Sequence, residues 1–168
     1  MTSAFSKSAF SKSTFSKSAF SDRAPFSPER PARLGVLLSG RGSNMSALAK
    51  AAAAPSFPAD IALVLSNAPD APGLEIAAGQ GLATAAVNHR AFKGDKPGFE
   101  GELTALLRAA EVDLVCLAGF MRVLSPVFLN AWPDAILNVH PSLLPAFRGL
   151  DTHARALEAG VRLHGASV

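Results

Sequence analysis

The chain has 168 residues, 49% of them apolar, and a formal net charge of +3. This length and composition favour one domain with a hydrophobic core and exclude a chain that is disordered throughout. No apolar run approaches the roughly 20 residues needed to span a bilayer. The single cysteine, Cys116, lies in an apolar run and is predicted to be buried. A lone cysteine excludes an internal disulfide, so we expect a cytoplasmic protein.

The positive charge is concentrated at the amino terminus. Residues 1–33 contain six basic and two acidic residues, whereas the remainder contains ten basic and eleven acidic residues. A nucleic-acid-binding domain normally carries its basic patch on the folded part, so we expect no nucleic acid partner and no membrane partner. No Cys/His cluster has metal-ligand spacing, so no metal site is predicted. The oligomeric state stays open.

Residues 1–32 are predicted to form a disordered, low-complexity extension. The motif SAFSK recurs with small variations from Ser3, and a Ser- and Pro-rich run follows to Pro31. A phenylalanine every five residues fits neither a strand nor a helix face. The composition leaves two alternatives open for this extension. It could be an organelle-targeting peptide, or a solvated tail that results from a misassigned translation start.

From residue 33 onward, short apolar runs alternate with helix-like stretches. The predicted strands cover residues 34–38, 61–65, 82–87, 113–118 and 136–139. The predicted helices cover residues 45–54, 74–78, 99–110 and 151–159, the last capped by Asp151 and ended by Gly160. Strands that are apolar on both faces favour a doubly wound α/β domain, Rossmann-like, with a mainly parallel sheet and helices on both faces. Ligands bind beyond the carboxyl ends of such strands.

The first predicted strand is followed by Ser39-Gly40-Arg41-Gly42-Ser43-Asn44. Glycines permit a tight turn, and Ser43 or Asn44 can cap the next helix, whose free N–H groups attract anions. The segment is neither a Walker loop nor a dinucleotide fingerprint, since Met45 replaces the third glycine. It predicts a phosphate site at Gly42, Ser43 and Asn44, with an ordinary capped turn as the alternative.

The fourth predicted strand continues into Gly119-Phe120-Met121-Arg122-Val123-Leu124-Ser125-Pro126. This segment combines apolar side chains with one cation, Arg122. Such a wall suits a flat, partly polar heteroaromatic ligand. Plain core packing is the alternative.

The fifth predicted strand ends in Asn138-Val139-His140-Pro141. Strand alternation places Asn138 and His140 on the same side. An amide that stabilises a developing oxyanion, beside an imidazole that moves a proton, meets the needs of acyl transfer. A purely structural histidine is the alternative.

In these three motifs, the chain resembles the phosphoribosylglycinamide formyltransferase family, folate-dependent enzymes of purine biosynthesis. The segment from Asn138 to Pro145, with Gly149-Leu150-Asp151-Thr152-His153 after it, is a hallmark shared with other formyl-folate enzymes. The Gly42-Ser43-Asn44 loop narrows the resemblance, because a methionyl-tRNA formyltransferase or a formyl-folate hydrolase would differ there. The resemblance covers about residues 33–168 and implies that they form the formyltransferase domain.

The resemblance implies transfer of a formyl group from 10-formyltetrahydrofolate to the amine of glycinamide ribonucleotide, on the route to IMP and without a metal. It assigns Asn138 and His140 as catalytic residues, and Gly42, Ser43 and Asn44 to the substrate phosphate. The residues that it assigns to folate are Lys96, Met121, Arg122, Val123, Leu124 and Asn138. A third catalytic residue of the family, an Asp in an Asp-Gly-Gly segment, is expected after Val168. The resemblance therefore implies a C-terminally truncated chain of low activity.

Two other functions are compatible with the same residues. One is a nucleotide-binding module without chemistry. The other is a formyltransferase that acts on a different amine, such as that of a sugar nucleotide.

Overall fold

The computed structural model describes residues 26–168, in which five strands form one sheet. The strands are β1 (Ala32–Leu38), β2 (Ala59–Ser66), β3 (Thr84–Ala86), β4 (Leu114–Leu117) and β5 (Ile136–Asn138). Their order is β3-β2-β1-β4-β5, and every neighbouring pair in this sheet is parallel. The predicted doubly wound α/β fold is confirmed.

Five α-helices and one 3-10 helix connect the strands in the described part of the chain. They are α1 (Ser43–Ala52), α2 (Pro72–Gly79), the 3-10 helix (His89–Phe92), α3 (Lys96–Ala109), α4 (Pro126–Ala131) and α5 (Thr152–Glu158). Neither the 3-10 helix nor α4 was predicted from the sequence. A start signal for α4 is present, because the Ser125 hydroxyl accepts a hydrogen bond from Val127 N–H and Pro126 follows at the first position. At six residues, α4 is too short for its periodicity to stand out.

Alternating side chains of the sheet enter two separate apolar cores. On β1, Leu34, Val36 and Leu38 join a core that includes Met45 of α1 and Ala77 of α2. On the opposite side of the same strand, Leu37 joins a larger core that α3 and α4 cover with Phe99, Leu103, Leu107, Phe128 and Trp132. Because the two cores lie on opposite sides of the sheet, helices cover both of its faces.

The segment before β1 is described from Phe26 onward. Residues 1–25, most of the predicted extension, lie outside the described residues. Phe26 packs against the core beside α1, and Ser27 and Arg30 form an antiparallel bridge. Ala32 is the first residue of β1 and donates its N–H to Pro58 O at 2.8 Å. The short segment 26–32 has no periodicity of its own, so its packing was not visible in the sequence.

The strand order creates a crevice at the carboxyl ends of β1 and β4. The chain proceeds from β1 toward β3 on one side and from β4 to β5 on the other, so the connections diverge between β1 and β4. Ligands of doubly wound sheets bind at this switch point. Among residues 26–168, no helix has the length and apolar character needed to cross a membrane.

Candidate active site

A cavity of about 800 Å³ lies beyond the carboxyl ends of β4 and β5. Met121, Arg122, Val123 and Leu124, here called the wall segment, line one part of it. Asn138, Val139, His140 and residues 149–152 line another part. The structure thus brings together two of the three sequence motifs. The third, the 39–44 loop, follows the neighbouring strand β1.

Asn138 and His140 both line this cavity, but so does Val139 between them, so strand alternation does not explain their placement. Asn138 is the last residue of β5 and is exposed. His140 lies beyond the strand, where its backbone exchanges two hydrogen bonds of 2.9 Å with Ser167. The half-buried imidazole has Nε2 3.4 Å from Phe147 O. An amide donor and an imidazole at one cavity can polarise a carbonyl group and move a proton.

Side-chain hydrogen bonds hold the loop after His140. Thr152 donates its hydroxyl to Pro141 O at 2.6 Å, and Ser142, which is fully buried, donates to Ala146 O at 2.7 Å. The Ser167 hydroxyl donates to Ser142 O at 2.8 Å. Asp151 lies at the N-cap position of α5, but its side chain makes no capping bond, contrary to the prediction. Its left-handed backbone, with φ of 54°, directs the chain into α5 without that bond.

The predicted phosphate loop reaches its turn through Gly42, whose φ is +75°. Gly42, rather than Ser43 or Asn44, is the N-cap of α1, so the predicted side-chain cap is wrong. Ser43 is already the first helical residue, which places its side chain past the capping position. No side chain caps α1, and Ser43 and Asn44 are exposed. The first turn of α1 is therefore a helix end without a side-chain cap, and such ends attract anions.

Gly73 at the start of α2 supports this loop. Its N–H donates to Gly40 O at 3.0 Å, and a Cβ placed on Gly42 would lie 2.9 Å from Gly73 Cα. Two glycine backbones therefore touch where any side chain would separate them. Gly73 was not predicted as part of the site, because Pro72-Gly73 at a helix start is its only local signal in the sequence.

Ser39 connects the first motif to the wall segment. Its hydroxyl accepts a hydrogen bond from Met121 N–H at 2.7 Å and donates to Asn67 Oδ1 at 2.5 Å. Asn67 is 4% exposed, and its backbone oxygen lies 2.8 Å from His89 Nδ1. Neither Ser39 nor Asn67 was predicted as a functional residue, because each forms its hydrogen bonds with residues far away in the sequence.

Lys96 is placed apart from the other predicted folate residues. It begins α3 and lines a small cavity of about 40 Å³ rather than the large one. Arg122 lines both cavities and so connects Lys96 to the wall segment. The Lys96 ammonium lies 4.0 Å from Oε1 of Glu100, which is 1% exposed.

Within residues 26–168, no three His, Cys, Asp or Glu side chains are grouped as metal ligands. Cys116 lies in the middle of β4, paired with Val36 and Leu137, and does not line the cavity. Burial raises the pKa of its thiol above the ordinary value.

Comparison with known proteins adds an independent observation. The sequence profile of the family described as "Formyl transferase" matches residues 32–168. Phosphoribosylglycinamide formyltransferase of Escherichia coli K12 is 43% identical over 133 residues, which are 79% of this chain and 62% of that protein. The human trifunctional purine biosynthetic protein adenosine-3 is 41% identical over 140 residues, covering 83% of this chain and 14% of that protein.

Solved structures show the same similarity in three dimensions. The crystal structure of phosphoribosylglycinamide formyltransferase from Brucella melitensis superposes with a TM-score of 0.77 at 46% identity, covering 81% of this chain and 70% of that one. Glycinamide ribonucleotide transformylase 1 from Symbiobacterium toebii gives a TM-score of 0.77 at 42% identity, covering 81% and 64%. The chain spans less than two thirds of the curated relatives that it matches.

Proposed function

Because the chain belongs to the formyl transferase family, we propose that it binds glycinamide ribonucleotide and 10-formyltetrahydrofolate and transfers the formyl group to the ribonucleotide amine. The resemblance recognised in the three sequence motifs is confirmed by the family match and by relatives at 40–44% identity. Two of these relatives carry the name phosphoribosylglycinamide formyltransferase.

One observation carries the proposal: the wall segment, Asn138 and His140 line a single cavity of about 800 Å³. Its volume is in the range of pockets that enclose drug-sized ligands. Met121 and Val123 are 65% and 84% exposed, so apolar surface is available to a flat ring. Arg122 supplies a cation and Asn138 an amide, which suit the polar edges and carboxylates of a folate.

The proposal assigns a separate task to each part of the site. The first turn of α1, behind Gly42, binds the ribonucleotide phosphate through its N–H groups. Asn138 donates a hydrogen bond to the formyl oxygen, where negative charge develops during attack by the amine. His140 takes the proton that the amine loses and returns it to N10 of the folate, as the bond between the formyl carbon and N10 breaks and tetrahydrofolate leaves. Lys96 and the wall segment hold the folate.

Titration followed by a transfer assay tests the proposal. Calorimetry with glycinamide ribonucleotide and with a 10-formyl folate analogue should show one site for each on the chain. The single-turnover transfer rate, followed through the deformylated folate, should fall about 100-fold or more in Asn138→Ala, as for loss of an oxyanion donor. We expect a fall of similar size in His140→Ala. The control is Asn130→Ala, because Asn130 is exposed on α4 and does not line the cavity.

Each result distinguishes between candidate functions. Binding of both ligands without detectable transfer favours a binding module. Transfer to a sugar nucleotide amine that glycinamide ribonucleotide does not inhibit favours a different acceptor. Failure to bind either ligand contradicts the proposal. Three further expectations stay predictions: the partners are small molecules alone, the protein is cytoplasmic, and the site holds no metal.

A further inference from the structure

Glu100 is a buried carboxyl group that the proposed chemistry does not use. It lies in the second turn of α3, is 1% exposed and does not line the large cavity. Burying a carboxyl group is costly unless hydrogen bonds or an opposite charge compensate. The partners of Glu100 therefore indicate what the burial achieves.

Those partners lie at the end of the wall segment. Glu100 accepts a hydrogen bond from Ser125 N–H at 2.8 Å and a second one from the Ser125 hydroxyl. The same hydroxyl oxygen accepts from Val127 N–H at 3.2 Å and so begins α4. One carboxyl group thus fixes the point at which the wall segment ends and the helix starts.

The wall segment is hydrogen-bonded to distant residues at both ends. Ser39 binds Met121 N–H at one end, and Glu100 binds Ser125 at the other. Between these two attachments, Arg122 is exposed and Val123 is 84% exposed. Leu124, the last residue of the segment, packs partly against the larger core, so the segment is held by this side chain and by the two hydrogen-bonded ends.

Glu100 also lies beside the second region assigned to folate. Lys96, one helical turn earlier, has its ammonium 4.0 Å from Glu100 Oε1. Lys96 and Arg122 line the same small cavity. Glu100 therefore contacts one of these cations and holds the segment that carries the other.

We propose that Glu100 is a positioning residue of the formyl-folate site, which holds the wall segment through Ser125 and sets Lys96 beside it without touching the ligand. The inference rests on the proposed function and adds a residue to it. Folate affinity should depend on Glu100, whereas affinity for the ribonucleotide at the α1 loop should not.

The test compares two dissociation constants in the same variants. Calorimetry gives the Kd for a 10-formyl folate analogue and, separately, for glycinamide ribonucleotide in Glu100→Ala, Glu100→Gln, Ser125→Ala and the Glu100→Ala/Ser125→Ala double variant. Leu107→Ala is the matched control, because Leu107 is buried on the same helix but packs beside Gly35 and Val112. Thermal melting reports the stability of each variant.

Glu100→Ala should raise the folate Kd at least tenfold and leave the ribonucleotide Kd within twofold. Glu100→Gln should recover most of the folate affinity, since its amide oxygen still accepts from Ser125 N–H and its NH₂ faces the Ser125 oxygen. Ser125→Ala should raise the folate Kd at least threefold, and the double variant should be no weaker than Glu100→Ala, because the two residues act as one unit.

Two results would overturn the inference, because they would mean that Glu100 only stabilises the fold. One is that Glu100→Ala raises the folate Kd and the ribonucleotide Kd by the same factor. The other is that Leu107→Ala raises the folate Kd as much as Glu100→Ala does. If Glu100→Ala does not fold, an unchanged folate Kd in Ser125→Ala overturns it. Absence of folate binding by the unsubstituted chain overturns the proposed function as well. Folate binding that is insensitive to Glu100 overturns this inference alone.

Discussion

The hydroxyl of Ser39 accepts a hydrogen bond from the backbone N–H of Met121, 2.7 Å away, across 82 positions of sequence. Ser39 begins the loop that leads to α1, and Met121 begins the wall segment. This bond joins the regions proposed for the phosphate and for the folate. A change at Ser39 should therefore affect both stability and ligand binding.

Replacing Ser39 with alanine should lower the free energy of unfolding by about 1–3 kcal/mol, because Met121 N–H and the buried Oδ1 of Asn67 lose the Ser39 hydroxyl as their partner. The folate Kd should also rise. Urea denaturation and calorimetry measure the two effects. Ser56→Ala, at an exposed loop serine, should stay within about 0.5 kcal/mol of the parent chain. An equal loss in both variants would contradict the assigned role.

Replacing Gly42 with alanine should raise the Kd for glycinamide ribonucleotide on the order of tenfold and leave the folate Kd nearly unchanged. The substituted loop must adopt φ near +75° with a Cβ 2.9 Å from Gly73 Cα, so the turn that directs the α1 amides shifts. Gly101→Ala is the control, because Gly101 lies in α3 with open space at its Cβ. It should stabilise the chain by about 0.5–1 kcal/mol. An equal rise in the Kd of both ligands in Gly42→Ala would argue against a phosphate-binding role for this loop.

Deleting residues 1–32 should destabilise the domain by about 2 kcal/mol more than deleting residues 1–25. The longer deletion removes the packing of Phe26 and the buried Ala32, which begins β1. Thermal and urea unfolding of the two shortened chains provide the comparison. Identical melting temperatures would show that segment 26–32 contributes no stability.

The Cys116 thiol should react slowly with iodoacetamide at pH 7.4, because burial raises its pKa and the thiolate is the reactive form. A pKa that is higher in the folded chain means that the thiol keeps its proton longer there than in the unfolded chain. Stability from this group is therefore complete below the unfolded pKa, about 8.5, and decreases as the pH rises above it. Urea unfolding at pH 7 and pH 10, with Cys116→Ala as the reference, measures this loss. A loss of equal size in the reference would assign it to other groups.

Much of the fold was predictable from the sequence, because apolar periodicity reports local burial. The strands around Val36, Val64 and Val115 were identified within a few residues, and they are buried as their apolar runs predict. The two motifs after β4 and β5 line one cavity, because carboxyl ends of parallel strands meet at one edge. The six-residue helix α4 escaped detection because its start signal stands inside an apolar run.

The sequence by itself therefore determined the order of the five strands and of α1, α2, α3 and α5, the motifs that follow the strands and the family to which the chain belongs. Only the tertiary structure decided which distant residues support those motifs: Ser39 at Met121, Gly73 at Gly42 and Glu100 at Ser125. It also placed Lys96 outside the large cavity. The physical reason is that the hydropathy pattern and the turn residues of a sequence report only on local structure, over one or two helical turns. Hydrogen bonds between distant segments depend on strand order and helix packing, for which a single sequence carries no periodic signal.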